Sequence, residues 1–102
     1  DLTLEAGQIS ISSNYHRVLN EGGAATDNLL NIVPPANVKD GMLLYLRAAA
    51  DSQDVVLVHG AGNIWLDGEA EKVLSRRNDR IVLMWDGDLL SWLQISFGDN
   101  RV

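Results

Sequence analysis

The fold class predicted by the sequence is all-β: short antiparallel strands in a sandwich or β-prism-like domain. Three observations predict it. Short apolar runs recur at roughly 8–12-residue spacing, each closed by Gly, Pro, Asn or Asp, as in small β domains. The segment Asp79–Ser96, DRIVLMWDGDLLSWLQIS, places two apolar runs around Asp86-Gly87-Asp88, the form of a β-hairpin. No segment sustains a helical apolar period. The nearest, Glu69–Asn78, has only the adjacent Val73 and Leu74 as apolar groups, so a short strand over 72–75 and a turn are expected there.

The elements follow in order. Leu2 and Leu4, then Ile9 and Ile11, alternate with polar residues on either side of Ala6-Gly7 and predict two short strands. Tyr15–Leu19 predicts a third. Glu21–Asn28 is a small-residue loop without a regular element, and the apolar stretch Leu29–Val33 ends at Pro34-Pro35. Met42–Arg47 follows the Lys39-Asp40-Gly41 turn with apolar groups on both sides. Val55–His59 is a β-branched run closed by Gly60-Ala61-Gly62, and Ile64–Leu66 is closed by Asp67-Gly68. Six to nine strands are expected.

In the hairpin, Ile81, Leu83 and Trp85 share one strand face while Val82 and Met84 occupy the other. Apolar groups on both faces call for cover on both faces, hence for a stacked or oligomeric arrangement. Leu44, Leu46, Val56, Val58, Ile81, Leu83 and Trp85 are the expected core or assembly residues.

At 102 residues the chain is read as one β-rich domain over 1–102, with 1–7 and 97–102 as linkers to a longer chain. Eight basic and fourteen acidic residues leave a net charge of −6, which argues against binding a phosphate backbone; Arg76, Arg77 and Arg80 are interrupted by Asn78 and Asp79. No cysteine is present, which removes disulfides and thiolate chemistry and suits assembly in a reducing cytosol. No apolar stretch nears the ~20 residues of a membrane helix, so no membrane insertion is expected. The opening Asp1-Leu2-Thr3-Leu4-Glu5 has neither the charge nor the apolar run of a signal peptide, and a start without Met reads as a piece of something longer.

The reactive inventory is thin. His16 and His59 are far apart, and no serine lies in a G-x-S-x-G elbow. Asp86 and Asp88 are turn formers beside Gly87, and Asp67, Glu69 and Glu71 lie on one short segment rather than across a cleft. Glu21, Thr26 and Asp27 lack calcium-loop spacing, and Gly60-Ala61-Gly62 lacks the third glycine and helix of a dinucleotide fingerprint. No enzyme activity, metal or cofactor is expected. The aromatic residues Trp65 and Trp92 have polar neighbours (Asn63, Ser91, Gln94) and are candidates for facing a ligand, whereas Trp85 is read as packing.

The order Tyr15-His16, Glu21-Gly22-Gly23-Ala24-Ala25-Thr26-Asp27-Asn28-Leu29, Asp40-Gly41 before a Leu-rich strand, His59-Gly60-x-Gly62-Asn63-Ile64 and a closing Asp-Gly…Trp hairpin resembles a module of bacteriophage fibre and other virion-surface proteins, over residues 8–96. Pro34-Pro35 and Arg76-Arg77 are not parts of that pattern. The resemblance implies a homotrimeric fibre element without catalytic residues, localised in a virion assembled in host cytoplasm. Its partners would be other virion proteins and a host-surface glycan or protein. Tyr15, His16, Glu21, Asp27, His59, Trp65 and Trp92 are the candidate ligand or partner contacts. A tail fibre engaged in host attachment, a capsid head fibre or decoration protein, and a carbohydrate-binding module or glycan depolymerase fragment are the alternatives the sequence leaves open.

Overall fold

A computed structural model describes residues 1–99. Its eleven strands are β1 (Leu2–Thr3), β2 (Gln8–Ser10), β3 (Tyr15–Leu19), β4 (Thr26–Leu29), β5 (Asn31–Val33), β6 (Leu43–Ala48), β7 (Asp54–Leu57), β8 (Ile64–Trp65), β9 (Lys72–Leu74), β10 (Arg80–Asp86) and β11 (Ser91–Gly98). Two short 3-10 turns, Glu21–Gly23 and Asp67–Glu69, are the only helical pieces among the described residues. The expectation of an all-β chain holds.

Strand direction differs from the expectation. A six-stranded sheet runs β1-β3-β6-β10-β11-β8, a second pairs β2 with β5, and a third runs β4-β7-β9. β1/β3, β3/β6, β2/β5, β4/β7 and β8/β11 are parallel. Only β6/β10, β10/β11 and β7/β9 are antiparallel. The cause is a winding path. β2, β3 and β4 visit the three sheets in turn, and β5, β6 and β7 visit them again in the same sense, so that Ile9 meets Ile32, Tyr15 meets Tyr45 and Asp27 meets Val55. A chain that returns to a sheet after a full circuit arrives parallel, because the circuit itself is the crossover. The antiparallel β9 and β10 then close this coil on the sheets containing β7 and β6.

One core fills the space between the sheets. Leu4, Ile9, Ile11, Val18, Leu29, Ile32, Leu44, Leu46, Val55, Leu57, Ile64, Leu74, Ile81, Leu83, Trp85 and Trp92 all belong to it. Leu44, Leu46, Ile81, Leu83 and Trp85 are buried as expected. On β7, Val56 is buried as expected, but the fully buried residues are its neighbours Val55 and Leu57, and Val58, beyond the strand end, is only half-buried. A Val-Val-Leu-Val run has no alternation to identify its inner face.

Three further corrections concern the ends and the central loop. Residues 1–7, read as a linker although a strand through Leu2 and Leu4 was also expected, supply β1 and the fully buried Leu4, whose N–H donates to the Leu19 carbonyl at 2.8 Å. Phe97 and Gly98, expected in a tail, continue β11 opposite Ile81 and Arg80; residues 100–102 of that tail lie outside the described residues. Residues 26–28, expected as loop, join Leu29 in a strand because β7 supplies a parallel partner.

Candidate functional site

The outer face of the six-stranded sheet is the surface on which the chain departs most from an ordinary exterior. Side chains alternate across a strand, so each register row carries one set of outward groups. Leu43, Met84, Leu93 and Trp65 form one such row across β6, β10, β11 and β8. Tyr15, Tyr45 and Val82 form the next across β3, β6 and β10. Leu43, Tyr45, Tyr15 and Trp65 are each more than a third exposed.

Two local features enlarge the apolar area. The register slips between Val82 and Leu83, because Val82 faces Ser96 and Leu83 faces Gln94, and the extra residue is Ile95. A bulge of this kind turns its unpaired residue out of the ladder, and Ile95 is 55% exposed. At the hairpin tip, the Asp86 carboxylate accepts N–H bonds from Asp88 and Leu89 at 2.9 Å, a turn-forming role as expected. The turn projects Leu89 and Leu90, at 60% and 66% exposure. Trp65, Leu89, Ser91 and Leu93 line a shallow apolar depression of about 340 Å³.

The sequence candidates do not form one site. Tyr15 and Trp65 lie on this outer face. Trp92, expected as a possible ligand contact, is fully buried; its Nε1–H donates to the Ile32 carbonyl at 3.1 Å and its ring meets Trp85 edge-on at 5.1 Å. The polar neighbours that suggested exposure have structural duties. Ser91 is itself buried, and the Gln94 side-chain oxygen accepts the Asp67 N–H at 3.0 Å.

Glu21 and Asp27 are occupied by backbone N–H groups, Glu21 by one from the turn between β1 and β2 and Asp27 by two from its own region. Glu21 Oε1 accepts the Ala6 N–H at 2.8 Å, and Asp27 accepts the N–H groups of Glu21 and Asn28 at 2.9 Å. His59 Nδ1 accepts the Leu66 N–H at 2.9 Å and its ring stands edge-on to Trp65 at 5.2 Å, so it braces the β8 turn.

His16 points inward from β3, half-buried. Its Nε2 accepts N–H bonds from Ser12 and Ser13, each at 3.2 Å. Burial lowers its pKa below the ordinary imidazole value, and the positive amino terminus adds to the effect. The fold therefore favours the neutral ring, whereas the unfolded chain takes up the proton at the ordinary value of about 6.5. Stability attributable to His16 is full above that pH, falls as pH drops towards the folded-state value, and then levels off. Urea midpoints measured between about pH 7.5 and pH 5 should fall for the native chain, with a shallower fall in His16→Gln, whose amide oxygen keeps an acceptor without titrating. Equal slopes for the two proteins would refute this role.

Among the described residues no group of three or more His, Cys, Asp or Glu is placed to hold a metal ion. Arg17 and Arg47, which sequence reasoning passed over, stand out instead with Arg80, which it grouped with Arg76 and Arg77: the three occupy one register row, beside the row that holds Tyr15 and Tyr45. The trace in the sequence is a repeated Tyr-x-Arg, at Tyr15-His16-Arg17 and Tyr45-Leu46-Arg47, carried into alignment by one circuit of the coil. No protein-family model matches this chain, and no curated protein matches it.

Proposed function

We propose that this chain is a non-enzymatic assembly and binding module, a β domain of a virion fibre that works as a homotrimer. The observation that carries the reading is the uncovered apolar face of the six-stranded sheet, running from Leu43 through Met84 and Leu93 to Trp65 and continued by Ile95, Leu89 and Leu90. An apolar band of this continuity is what a subunit seam requires, since burial of such side chains drives association. The similarity of residues 8–96 to phage fibre modules supplies the trimeric, virion-borne context. In that context the assembled fibre contributes to host attachment by presenting repeated copies of the same surface.

Sedimentation analysis tests this reading. A trimer is expected at micromolar concentration, and Leu90→Glu combined with Ile95→Lys should weaken association about 30-fold or more, in the range of a lost interface anchor. Both positions are exposed on a single chain, so the variant should retain the far-ultraviolet spectrum of a β fold. A native chain that sediments as a monomer would overturn the proposal.

A further inference from the structure

Arg17 on β3 stands opposite Arg47 on β6, and Arg47 stands opposite Arg80 on β10. Adjacent strands are about 4.8 Å apart, so three guanidinium-bearing positions lie side by side on one face. Like charges directly opposite one another on a sheet are destabilising. In a chain of net charge −6, with fourteen carboxylates to draw on, such a row is not a consequence of composition.

The row is only partly neutralised. Asp1 pairs with Arg17 Nε at 2.5 Å on an exposed edge. Among the described residues neither Arg47 nor Arg80 makes an ion pair. Two nearby carboxylates are engaged elsewhere: Asp51 holds Arg77 at 3.2 Å, and the buried Asp79 accepts the N–H and hydroxyl of Ser75.

Both unpaired guanidinium groups are nevertheless held in place. Arg47 donates from Nε to the Tyr15 hydroxyl oxygen at 2.9 Å and from Nη1 to the Ala48 carbonyl at 3.2 Å. Arg80 donates from Nη1 to the carbonyls of Arg77 and Asp79. In each, Nη2 makes no hydrogen bond within the described residues and remains for an acceptor from outside. A fixed guanidinium loses little freedom on binding an anion, and its planar fork suits a carboxylate or sulfate.

The neighbouring row adds the second half of a recognition surface. Tyr15 and Tyr45 stand side by side, 47% and 40% exposed, and the Tyr15–Arg47 bond locks ring and guanidinium together. Asp1, Tyr15, His16, Arg17 and Arg47 line a depression of about 280 Å³ there. Exposed tyrosines offer an apolar ring face with a polar tip, which suits the C–H face of a pyranose.

We propose that the Arg17–Arg47–Arg80 row and the Tyr15–Tyr45 pair bind an acidic oligosaccharide, with its carboxylate or sulfate groups on Arg47 and Arg80 and a sugar ring against the tyrosines. Arg17 joins when the ligand displaces Asp1. A short acidic saccharide needs only two or three cationic contacts, whereas a long polyanion would have to run out over the acidic remainder of the surface. The site is complete on one chain and lies beside, not within, the apolar band assigned to assembly, so it stands or falls separately from the trimer.

Calorimetric titration of the native protein at low ionic strength, where exposed charges are least screened, supplies the test. The probes are sialyllactose for carboxylate, a heparin-derived hexasaccharide for sulfate, lactose as the neutral sugar, and inorganic phosphate and a short oligothymidylate as anions without a sugar-acid group. Binding of one or both acidic saccharides is expected, and which one binds identifies the anionic group. Arg47→Gln and Arg80→Gln should each weaken that binding about tenfold, while Arg76→Gln, outside the row, leaves it unchanged. Tyr15→Phe, which removes only the hydroxyl that holds Arg47, should weaken it about threefold. The melting temperatures of these surface variants are read in parallel, so that a loss of binding with an unchanged melt assigns the effect to the site. Equal binding of lactose, phosphate or oligothymidylate, wild-type affinity in both arginine variants, or no heat with either acidic sugar at millimolar concentration would overturn the proposal.

Discussion

Gly62→Ala is expected to be among the most damaging single substitutions in this chain. A Cβ at Gly62 would overlap the Leu30 carbonyl oxygen and lie 3.0 Å from the Leu30 carbonyl carbon and 3.1 Å from Asn31 Oδ1. The first two are backbone atoms and cannot swing aside, so the clash must separate the 60–64 segment from β5. What separates with it is a clamp. Asn63 Oδ1 accepts the Ile32 N–H at 2.8 Å while Asn63 Nδ2 donates to the Ile32 carbonyl at 2.7 Å.

One side-chain amide thus gives β5 the paired bonds a third strand would have given, and ties the far edge of the six-stranded sheet to β5. Loss of the clamp would leave the N–H of the fully buried Ile32 without its acceptor, a cost added to the steric one. A destabilisation of about 3 kcal/mol is expected, at the upper end of overpacking effects. For a domain of this size that lowers the melting temperature by roughly 12–20 °C. Gly22→Ala is the control. Gly22 has φ +63 and nothing within contact of a Cβ, so only the left-handed conformation is penalised, at about 1 kcal/mol. If the two alanine variants melt together, close approach at Gly62 is not what holds the segment.

The strands that can be read from the sequence are those whose apolar period is local. Ile81, Leu83 and Trp85 alternate with half-exposed Val82 and Met84, and the inner face of β10 was legible from these five letters. β7 has no alternation, so Val56 was placed in the core correctly while its fully buried neighbours Val55 and Leu57 were not singled out. The strand Thr26–Leu29 has little β propensity of its own. It forms because Leu29 enters the core and because Asn20, whose side-chain amide donates to the carbonyls of Ala24 and Asp54 at 2.9 Å, ties the preceding loop to the start of β7. Such causes lie roughly thirty residues away along the chain and leave no local mark.

The parallel winding is nonlocal for the same reason. Antiparallel hairpins announce themselves through a turn, whereas a parallel pair is joined by a circuit whose length is set by the other sheets. The repeated Tyr-x-Arg was the visible sign, and its meaning depends on the coil placing Tyr15 against Tyr45 and Arg17 against Arg47. Of the candidate contacts, Trp65 and Tyr15 are exposed on the outer face, whereas the carboxylates of Glu21 and Asp27 are taken up by backbone N–H groups. Carboxylates beside glycine-rich turns had backbone N–H groups within reach, and those groups claimed them.

Trp92→Ala carries the other large expected effect. Trp92 is among the largest fully buried side chains, and its Nε1–H reaches the same Ile32 carbonyl that Asn63 grips. The substitution removes an indole from the core, breaks the edge-on contact with Trp85 and leaves a cavity at the junction of β11 with β5. Large aromatic truncations of this kind cost about 3–5 kcal/mol. Small domains have total stabilities of about 5–15 kcal/mol, so the variant should populate unfolded chain measurably at 37 °C.

Trp92→Phe separates the two contributions. Phenylalanine retains most of the apolar volume but not the donor, and Ile32 keeps its bond from Asn63 Nδ2, so a loss of only about 1–2 kcal/mol is expected. Coupling follows from the shared acceptor. In a double-mutant cycle, Asn63→Ala combined with Trp92→Phe should cost more than the sum of the single changes, because only the pair leaves the Ile32 carbonyl without a donor. Strict additivity in denaturant unfolding would mean that the two side chains stabilise β5 independently, and that the Ile32 carbonyl is not the point at which the hairpin and the coil are joined.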